Sequence, residues 1–458
     1  MNDEFGDLDQ EPGRSRFGAA AARLKDSRFV RDVGSLWSAS ALVTLVAAIQ
    51  GIIVAKVLHP SGYGTAGLIA SVPVLVFVFF DARSADAAMR YLGEFAAQGR
   101  EAEARAFCRV GYGLDLGVGL VSLALSAVIA PWAASHIVHD PAAGWLVVVF
   151  AAGMFLRTPA VTSEATLITL GRARAVGTLQ VGAMLMRAVL VLGALALGAG
   201  VAGVIWGTAI GFALEGAAYL TVTSRAIHHA WGGGWVRASL SPLSDRRREI
   251  TRFILWADLG STVGLASKQS DTFFVGFFLN PAAAGYYRLA VSLGSLGGVV
   301  VGPLQSVLYQ RFAQLRGRGD RAGLFATVRK AALHLCAPSA ALGLLALPLV
   351  PWMIRVTAGS AYLPAVTPTR ILVLASIVWL AFAWVRPFVL TMGEVKLWTA
   401  LGVLGAAVAL VGYVLVTRRW GIAGTAWVRF ASLMVAPVIG GITLWRRSRM
   451  SGTPEPGR

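Results

Sequence analysis

Residues 35–82 read SLWSASALVTLVAAIQGIIVAKVLHPSGYGTAGLIASVPVLVFVFFDA, with Lys56 and Asp81 as the only charged side chains. An apolar run of about 20 residues crosses roughly 30 Å of hydrocarbon as a helix. The stretch therefore predicts two spans, 35–57 and 65–82, separated by the turn Leu58-His59-Pro60 and Gly62-Tyr63. Apolar runs of the same kind recur at 110–132, 144–168, 176–197, 201–222, 253–278, 285–309, 329–354, 369–391, 396–416 and 420–445.

These runs predict an all-α integral membrane protein with about twelve transmembrane helices. The composition agrees: 56% of the 458 residues are hydrophobic, 14% are charged, and the mean hydropathy is +0.66, outside the range of ordinary soluble domains. A net charge of +18 would suggest nucleic acid in a soluble protein. Here, with the N-terminus placed in the cytoplasm, thirty Lys and Arg fall in cytoplasmic segments and four (Lys56, Arg355, Arg418, Arg419) outside. That is the positive-inside pattern, and it predicts that both termini are cytoplasmic. The first span follows 34 residues that carry Asp, Glu, Arg and Lys and lacks a small-residue cleavage site, so it reads as a retained anchor. Residues 1–15 read as disordered and 23–36 as a short amphipathic helix on the inner surface. Cys108 and Cys336 imply no disulfide framework.

The chain repeats itself. Leu279-Asn280-Pro281 and Gly285-Tyr286 follow the seventh span as Leu58-His59-Pro60 and Gly62-Tyr63 follow the first, 223 positions apart at the Gly–Tyr pair. Gly200-Val201-Ala202-Gly203 recurs 221 positions on as Gly421-Ile422-Ala423-Gly424, and Gly171 recurs as Gly393. Six spans per half bring both halves into the membrane in one orientation, related by a pseudo-two-fold axis along the membrane normal with a central cavity between them. The expected organisation is a cytoplasmic N-terminal segment (1–34), an N-terminal six-helix bundle (35–222), a basic linker whose charges meet anionic headgroups (223–252), a C-terminal bundle (253–445) and a cytoplasmic tail (446–458).

Seven cations lie in or at the ends of the spans: Arg157, Arg187, Lys268, Arg288, Arg370, Arg386 and Arg429. A cation at the centre of a span costs roughly 2.5–3.5 kcal/mol on insertion scales. Arg157, Arg187, Lys268, Arg386 and Arg429 are the deeper ones and are candidates for binding an anionic substrate, since guanidinium stays charged and donates parallel hydrogen bonds to phosphate. Arg288 and Arg370 sit near outer ends, where they could snorkel. The spans also hold Asp115, Glu164, Glu215, Asp258 and Asp271, with Asp81 at an inner end. These acids could neutralise the cations, Lys268 and Asp271 as a local pair, or could bind protons or sodium that drive transport. No cofactor or metal site is called for: His136, His139 and Asp140 lack further ligands, and Gly232-Gly233-Gly234 is not followed by the Lys-Ser/Thr of a phosphate loop. Pro131, Pro159, Pro303 and Pro387 are candidate helix breaks.

The chain resembles the polysaccharide biosynthesis, or oligosaccharide flippase, branch of the multidrug/oligosaccharidyl-lipid/polysaccharide exporter superfamily. The residues that carry the resemblance are Leu58, Pro60, Tyr63 and Gly64; Arg90-Tyr91 with Glu94; Gly200 and Gly203; Asp271 with Val275-Gly276, Leu279, Pro281, Gly285-Tyr286 and Ala290; and Pro303 with Ser306. His59 departs from it, standing where a glycine is common. The resemblance implies a non-enzymatic flippase that moves an oligosaccharide on polyprenyl diphosphate across the bacterial cytoplasmic membrane. It would work among membrane lipids, beside a polysaccharide polymerase and glycosyltransferases, with no nucleic acid. Three alternatives stay open. A drug or organic-ion antiporter would have a net acidic or aromatic cavity, and a peptidoglycan-precursor flippase two further helices. A membrane glycosyltransferase or polymerase would need catalytic groups on a substantial external loop.

Overall fold

A computed structural model describes residues 28–80 and 84–450, with side chains except at 28–33, 35, 254–266, 268, 299, 300, 395 and 443–450. The expected segments 1–15 and 446–458, most of the amphipathic stretch 23–36, and Asp81 lie outside the described residues or side chains. Among the described residues the chain is helical throughout, with no strand. The helices are α1 (Arg28–Phe79), α2 (Ser84–Ala97), α3 (Glu101–Ala133), α4 (Gly144–Arg157), α5 (Pro159–Thr169), α6 (Ala173–Ala196) and α7 (Gly200–Trp231). They continue with α8 (Arg247–Phe278), α9 (Pro281–Ser295), α10 (Gly298–Gly317), α11 (Arg321–Thr357), α12 (Val366–Ala381), α13 (Val385–Thr391) and α14 (Val395–Met450).

Eight stretches of the described residues are long and apolar enough to cross a membrane. The two longest, Leu36–Phe79 and Lys396–Ile442, have 44 and 47 residues, about twice the helical length a bilayer needs. Both double back. α1 bends at His59 (φ 56°) and α14 at Gly421 (φ 59°). Thr417 Oγ1 meets Thr425 Oγ1 at 3.0 Å across the second hairpin, and Val428 packs on Gly412. Each long helix thus supplies two of the expected spans. The remaining two expected spans, 253–278 and 285–309, fall on α8 and on α9 with α10, which are not among the eight.

Two expected spans are broken in mid-course. Span 144–168 divides at Thr158, where Pro159 starts α5; proline removes the N–H that would reach the Phe155 carbonyl. Thr158 replaces it, donating to Phe155 O from its backbone N–H (3.1 Å) and from Oγ1 (2.8 Å). Span 369–391 divides at 382–384, just ahead of Pro387. The break in 285–309 falls at Leu296-Gly297 instead of Pro303, which lies inside α10, as Pro131 lies inside α3.

The halves meet along a seam between α1 and α9, at the end that carries His59, Gly200, Asn280 and Gly421. A Cβ on Gly64 would lie 1.7 Å from the Pro281 carbonyl oxygen, and one on Gly285 would lie 2.0 Å from that of Pro60. Two helix starts therefore cross backbone to backbone. The equivalent residues are Pro60 with Pro281 and Gly64 with Gly285, 221 positions apart, so the repeat register is set by Gly64 and not by Gly62. Gly200 (φ 57°) and Gly421 (φ 59°) obey the same offset. Leu68, Ile69, Val72, Ile137 and Phe150 of the first half share one apolar core with Val275, Tyr287, Ala290 and Leu372 of the second. Tyr362 Oη adds a 2.9 Å hydrogen bond to Ala55 O.

The opposite, basic end is organised by α2, which span-length patterning does not reveal. Its apolar face, Tyr91, Leu92 and Phe95, packs on Phe107, Trp231, Leu243 and Ile250. Part of the linker 223–252 is thereby folded onto the first half through Trp231, Leu243 and Ile250. Trp235 lies 4.7 Å from the Tyr112 ring, and Arg109 donates to Ala238 O at 2.8 Å. Arg246 pairs with Glu94 and with Glu249 and holds both carboxyls below the usual glutamate range, while Arg247 and Arg248 stay exposed.

The seam makes a direct prediction. Gly285→Ala should destabilise the protein by about 1–3 kcal/mol, because the clash is with backbone and cannot be relieved by a rotamer change. Gly182→Ala, at an exposed helical position with nothing within 4 Å of the added carbon, should not lower the thermal unfolding midpoint in detergent and should raise it slightly, since alanine favours the helix.

Candidate substrate cavity

α7 lies so close to α4 that a Cβ on Gly216 would fall 2.0 Å from the Leu156 carbonyl oxygen. This approach carries the neighbouring Glu215 between two arginines on different helices. Arg157 ends α4 at the break before Pro159, and Arg187 projects from α6. Arg157 Nε donates to Glu215 Oε1 at 2.8 Å, and Arg187 Nη1 stands 3.6 Å from Oε2. Phe212, one turn earlier on α7, lies under both guanidinium groups, 4.7 Å from Arg187 Cζ and 5.5 Å from Arg157 Cζ.

Phe212 also separates two cavities. The smaller, about 240 Å³, is lined by Val78, Asp115, Met154, Arg157 and Val161. The larger, about 410 Å³, is lined by Gln50, Tyr63, Arg187 and Thr208 of the first half and by Arg288 and Ser292 of the second. Arg288 lies over the Tyr63 ring at 5.0 Å, and a Cβ at Gly67 would approach its Nη1 to 2.6 Å. Arg288 is therefore not a snorkelling residue at an outer end: the room left by Gly67 turns it into the cavity between the halves. Among the described residues no carboxylate lies within ion-pair distance of it. Three guanidinium groups thus line the two cavities against one acid, Asp115, while Glu215, held by Arg157 and Arg187, lines neither. Asp115 is already engaged with Ser84 Oγ (2.5 Å) and the Thr162 N–H (3.2 Å), holding the start of α2 to α5.

The other candidates go elsewhere. Arg429 pairs with Asp271, which also accepts a hydrogen bond from Tyr287 Oη at 3.0 Å. Asp271 is buried, and neither it nor Arg429 is among the residues lining the two cavities. Arg429 is therefore drawn into an internal ion pair instead of presenting its charge to the cavity. Asp271 pairs with Arg429 across α8 and α14; the expected partner, Lys268, lies outside the described side chains, as does Asp258. Arg386 is exposed and reaches Gln305 Oε1 at 3.4 Å, away from both cavities. Arg370 donates to Leu347 O at 3.1 Å. Glu164 accepts from Gln180 Nε2 at 3.0 Å. His136 stacks on Trp132 and His139 bonds to Gly276 O, and no group of metal-ligating side chains forms among the described residues.

The sequence places Arg288 near an outer end and gives no local signal that singles out Phe212, Gln50 or Thr208. The 221-residue offset holds part of the missing signal: Gln50, Ala66 and Thr208 are the counterparts of Asp271, Tyr287 and Arg429. Where the second half places its buried ion pair, the first half places neutral side chains around an open cavity.

These features define a multi-pass helical membrane protein with a cation-lined cavity between two repeated halves. A family model described as "Polysaccharide biosynthesis protein" matches residues 29–316, so the chain belongs to that family. No curated protein sequence matches. Among solved structures, the chain is similar to the inward-facing conformation of a multidrug resistance MATE family transporter of the MOP superfamily. The two are 18% identical, covering 89% of this chain and 94% of that one, with a TM-score of 0.72. It is also similar to the lipid II flippase MurJ in an inward closed conformation, at 13% identity, covering 90% and 87% of the two chains, TM-score 0.71. A Vibrio cholerae MATE transporter matches at 10% identity over 94% and 98%, TM-score 0.60. At these identities the likeness establishes the fold.

The Asp271–Arg429 pair is separable from the cavity by mutation. Replacing Arg429 alone by Leu should destabilise the protein by about 3–5 kcal/mol, because it strands a buried carboxylate. The double variant Asp271→Leu/Arg429→Leu should recover most of that loss in the detergent unfolding midpoint.

Proposed function

We propose that this protein is a flippase that moves an oligosaccharide carried on polyprenyl diphosphate across the bacterial cytoplasmic membrane. The observation that carries the reading is the pairing of Arg187 and Arg288, contributed by opposite halves, in one cavity whose guanidinium groups outnumber its acids. A diphosphate offers several charged oxygens to such groups, and guanidinium–phosphate contacts are among the stronger hydrogen bonds available to a protein. An anion held by Arg187 and Arg288 together is bound by both halves at once. Its affinity then depends on their relative position, which is what coupling between binding and alternating access requires. Family membership supports the substrate class, and the shared fold supports a transport role.

In this reading the saccharide travels through the cavity while the lipid tail remains in the bilayer. No covalent step is involved. Arg157 assists from the adjoining smaller cavity, and Asp115, Glu164, Glu215 and Asp271 are the described acids from which a proton- or sodium-coupling group would be drawn. The product would pass to a polysaccharide polymerase after glycosyltransferases have built it on the inner leaflet. The termini are proposed to be cytoplasmic on the charge distribution.

Binding of farnesyl diphosphate to the purified protein in nanodiscs tests the reading. Arg187→Gln and Arg288→Gln should each weaken binding by about tenfold or more, the equivalent of losing one charge-assisted contact. The double variant should fail to complement a flippase-deficient strain. A double variant that is inserted, binds farnesyl diphosphate normally and complements fully would contradict the proposal.

A further inference from the structure

Glu215 lies between Arg157 and Arg187, the latter lining the larger cavity, with only 6% of its side chain exposed. The contact is complete on the Arg157 side and incomplete on the Arg187 side. Oε1 is engaged by Arg157 Nε at 2.8 Å, but Oε2 is buried without a hydrogen bond, 3.6 Å from Arg187 Nη1. Arg187, 19% exposed, donates to the Met184 sulfur at 3.3 Å, a weak acceptor. One carboxylate is thus stretched between two guanidinium groups that it cannot satisfy together. Among the described residues no other acid lies within ion-pair distance of either arginine.

We propose that Glu215 stands in for the substrate's phosphate. It is shared between Arg157 and Arg187 while the larger cavity is empty, yields Arg187 to an anionic headgroup that Arg187 and Arg288 then hold together, and by returning to Arg187 promotes release. The inference rests on the reading of the cavity as an anion site. Phe212 makes the exchange possible. Its ring lies against both guanidinium groups, so the arginines remain positioned when the carboxylate leaves. A diphosphate carries more acceptor oxygens than Glu215 and can serve Arg187 and Arg288 together at hydrogen-bond distance. Its approach also places like charge beside Glu215, which favours the exchange over joint occupancy. A built-in competitor weakens binding, and a carrier needs an affinity high enough to load and low enough to unload.

The test joins binding and turnover. Farnesyl diphosphate is titrated into the full-length protein in nanodiscs, and movement of a fluorescently tagged farnesyl diphosphate is followed in proteoliposomes. Glu215→Gln, which keeps the side chain's shape and removes its charge, should bind about tenfold more tightly, equal to about 1.4 kcal/mol, and turn over more slowly at saturation. Glu215→Asp, whose carboxylate is withdrawn by one methylene, should shift both quantities in the same direction by less. It provides the answer if the glutamine variant does not accumulate.

Unchanged or weaker binding in the Glu215 variants, with Arg187→Gln still impaired, overturns the stand-in role and leaves the anion site intact. Tighter binding with unchanged turnover overturns the part assigned to Glu215 in release. Normal binding by both Arg187→Gln and Arg288→Gln removes the anion site and this inference with it.

Discussion

The crossing of Gly64 and Gly285 governs the rest of the molecule. Each glycine lies against the carbonyl oxygen of the proline that opens the opposing helix, at separations that leave no room for a side chain. The two halves are thereby held together at their charge-poor end. Three residues beyond each glycine, nearly one helical turn, stand Gly67 and Arg288. The crossing that closes one end of the protein therefore delivers Arg288 into the cavity. The small residue at 67 is the counterpart, across the repeat, of the charged residue whose space it provides.

Charge in a low-dielectric interior must be met locally or by something that enters. The halves solve this in different ways. In the second half Arg429, Asp271 and Tyr287 form a compact internal pair. In the first half the equivalent positions are Thr208, Gln50 and Ala66, which are neutral and leave a space of about 410 Å³. The first half carries its charges at Arg157, Arg187 and Glu215 instead, with counterparts at Val378, Val408 and Ala436. One side is thus filled and the other receptive, and the larger cavity between them is lined by two guanidinium groups, Arg187 and Arg288, and by no carboxylate.

Much of this fold was legible in the sequence because bilayer-length apolar runs are long, repeated signals. The breaks at Thr158 and near Pro387 announce themselves through proline. α2 did not, since an amphipathic helix of 14 residues has neither the length nor the apolarity of a span and is defined by the linker it packs against. The register of the repeat was misread by two residues because Gly62 and Gly64 flank the same tyrosine, and only the crossing shows which glycine cannot carry a Cβ. The destinations of the arginines were the least legible. Arg429 and Asp271 are 158 positions apart, and no spacing rule joins them. Arg288 looked peripheral from its distance along a span, whereas its environment is set by the opposing half.

The central claim is that an anion is held jointly by guanidinium groups of the two halves. A cryo-electron microscopy structure of the protein in nanodiscs with farnesyl diphosphate tests it most directly. The account predicts diphosphate density in the cavity between Arg187 and Arg288, in contact with both. Density confined to one half, or diphosphate bound outside the cavity while these side chains stay as they are here, would contradict it.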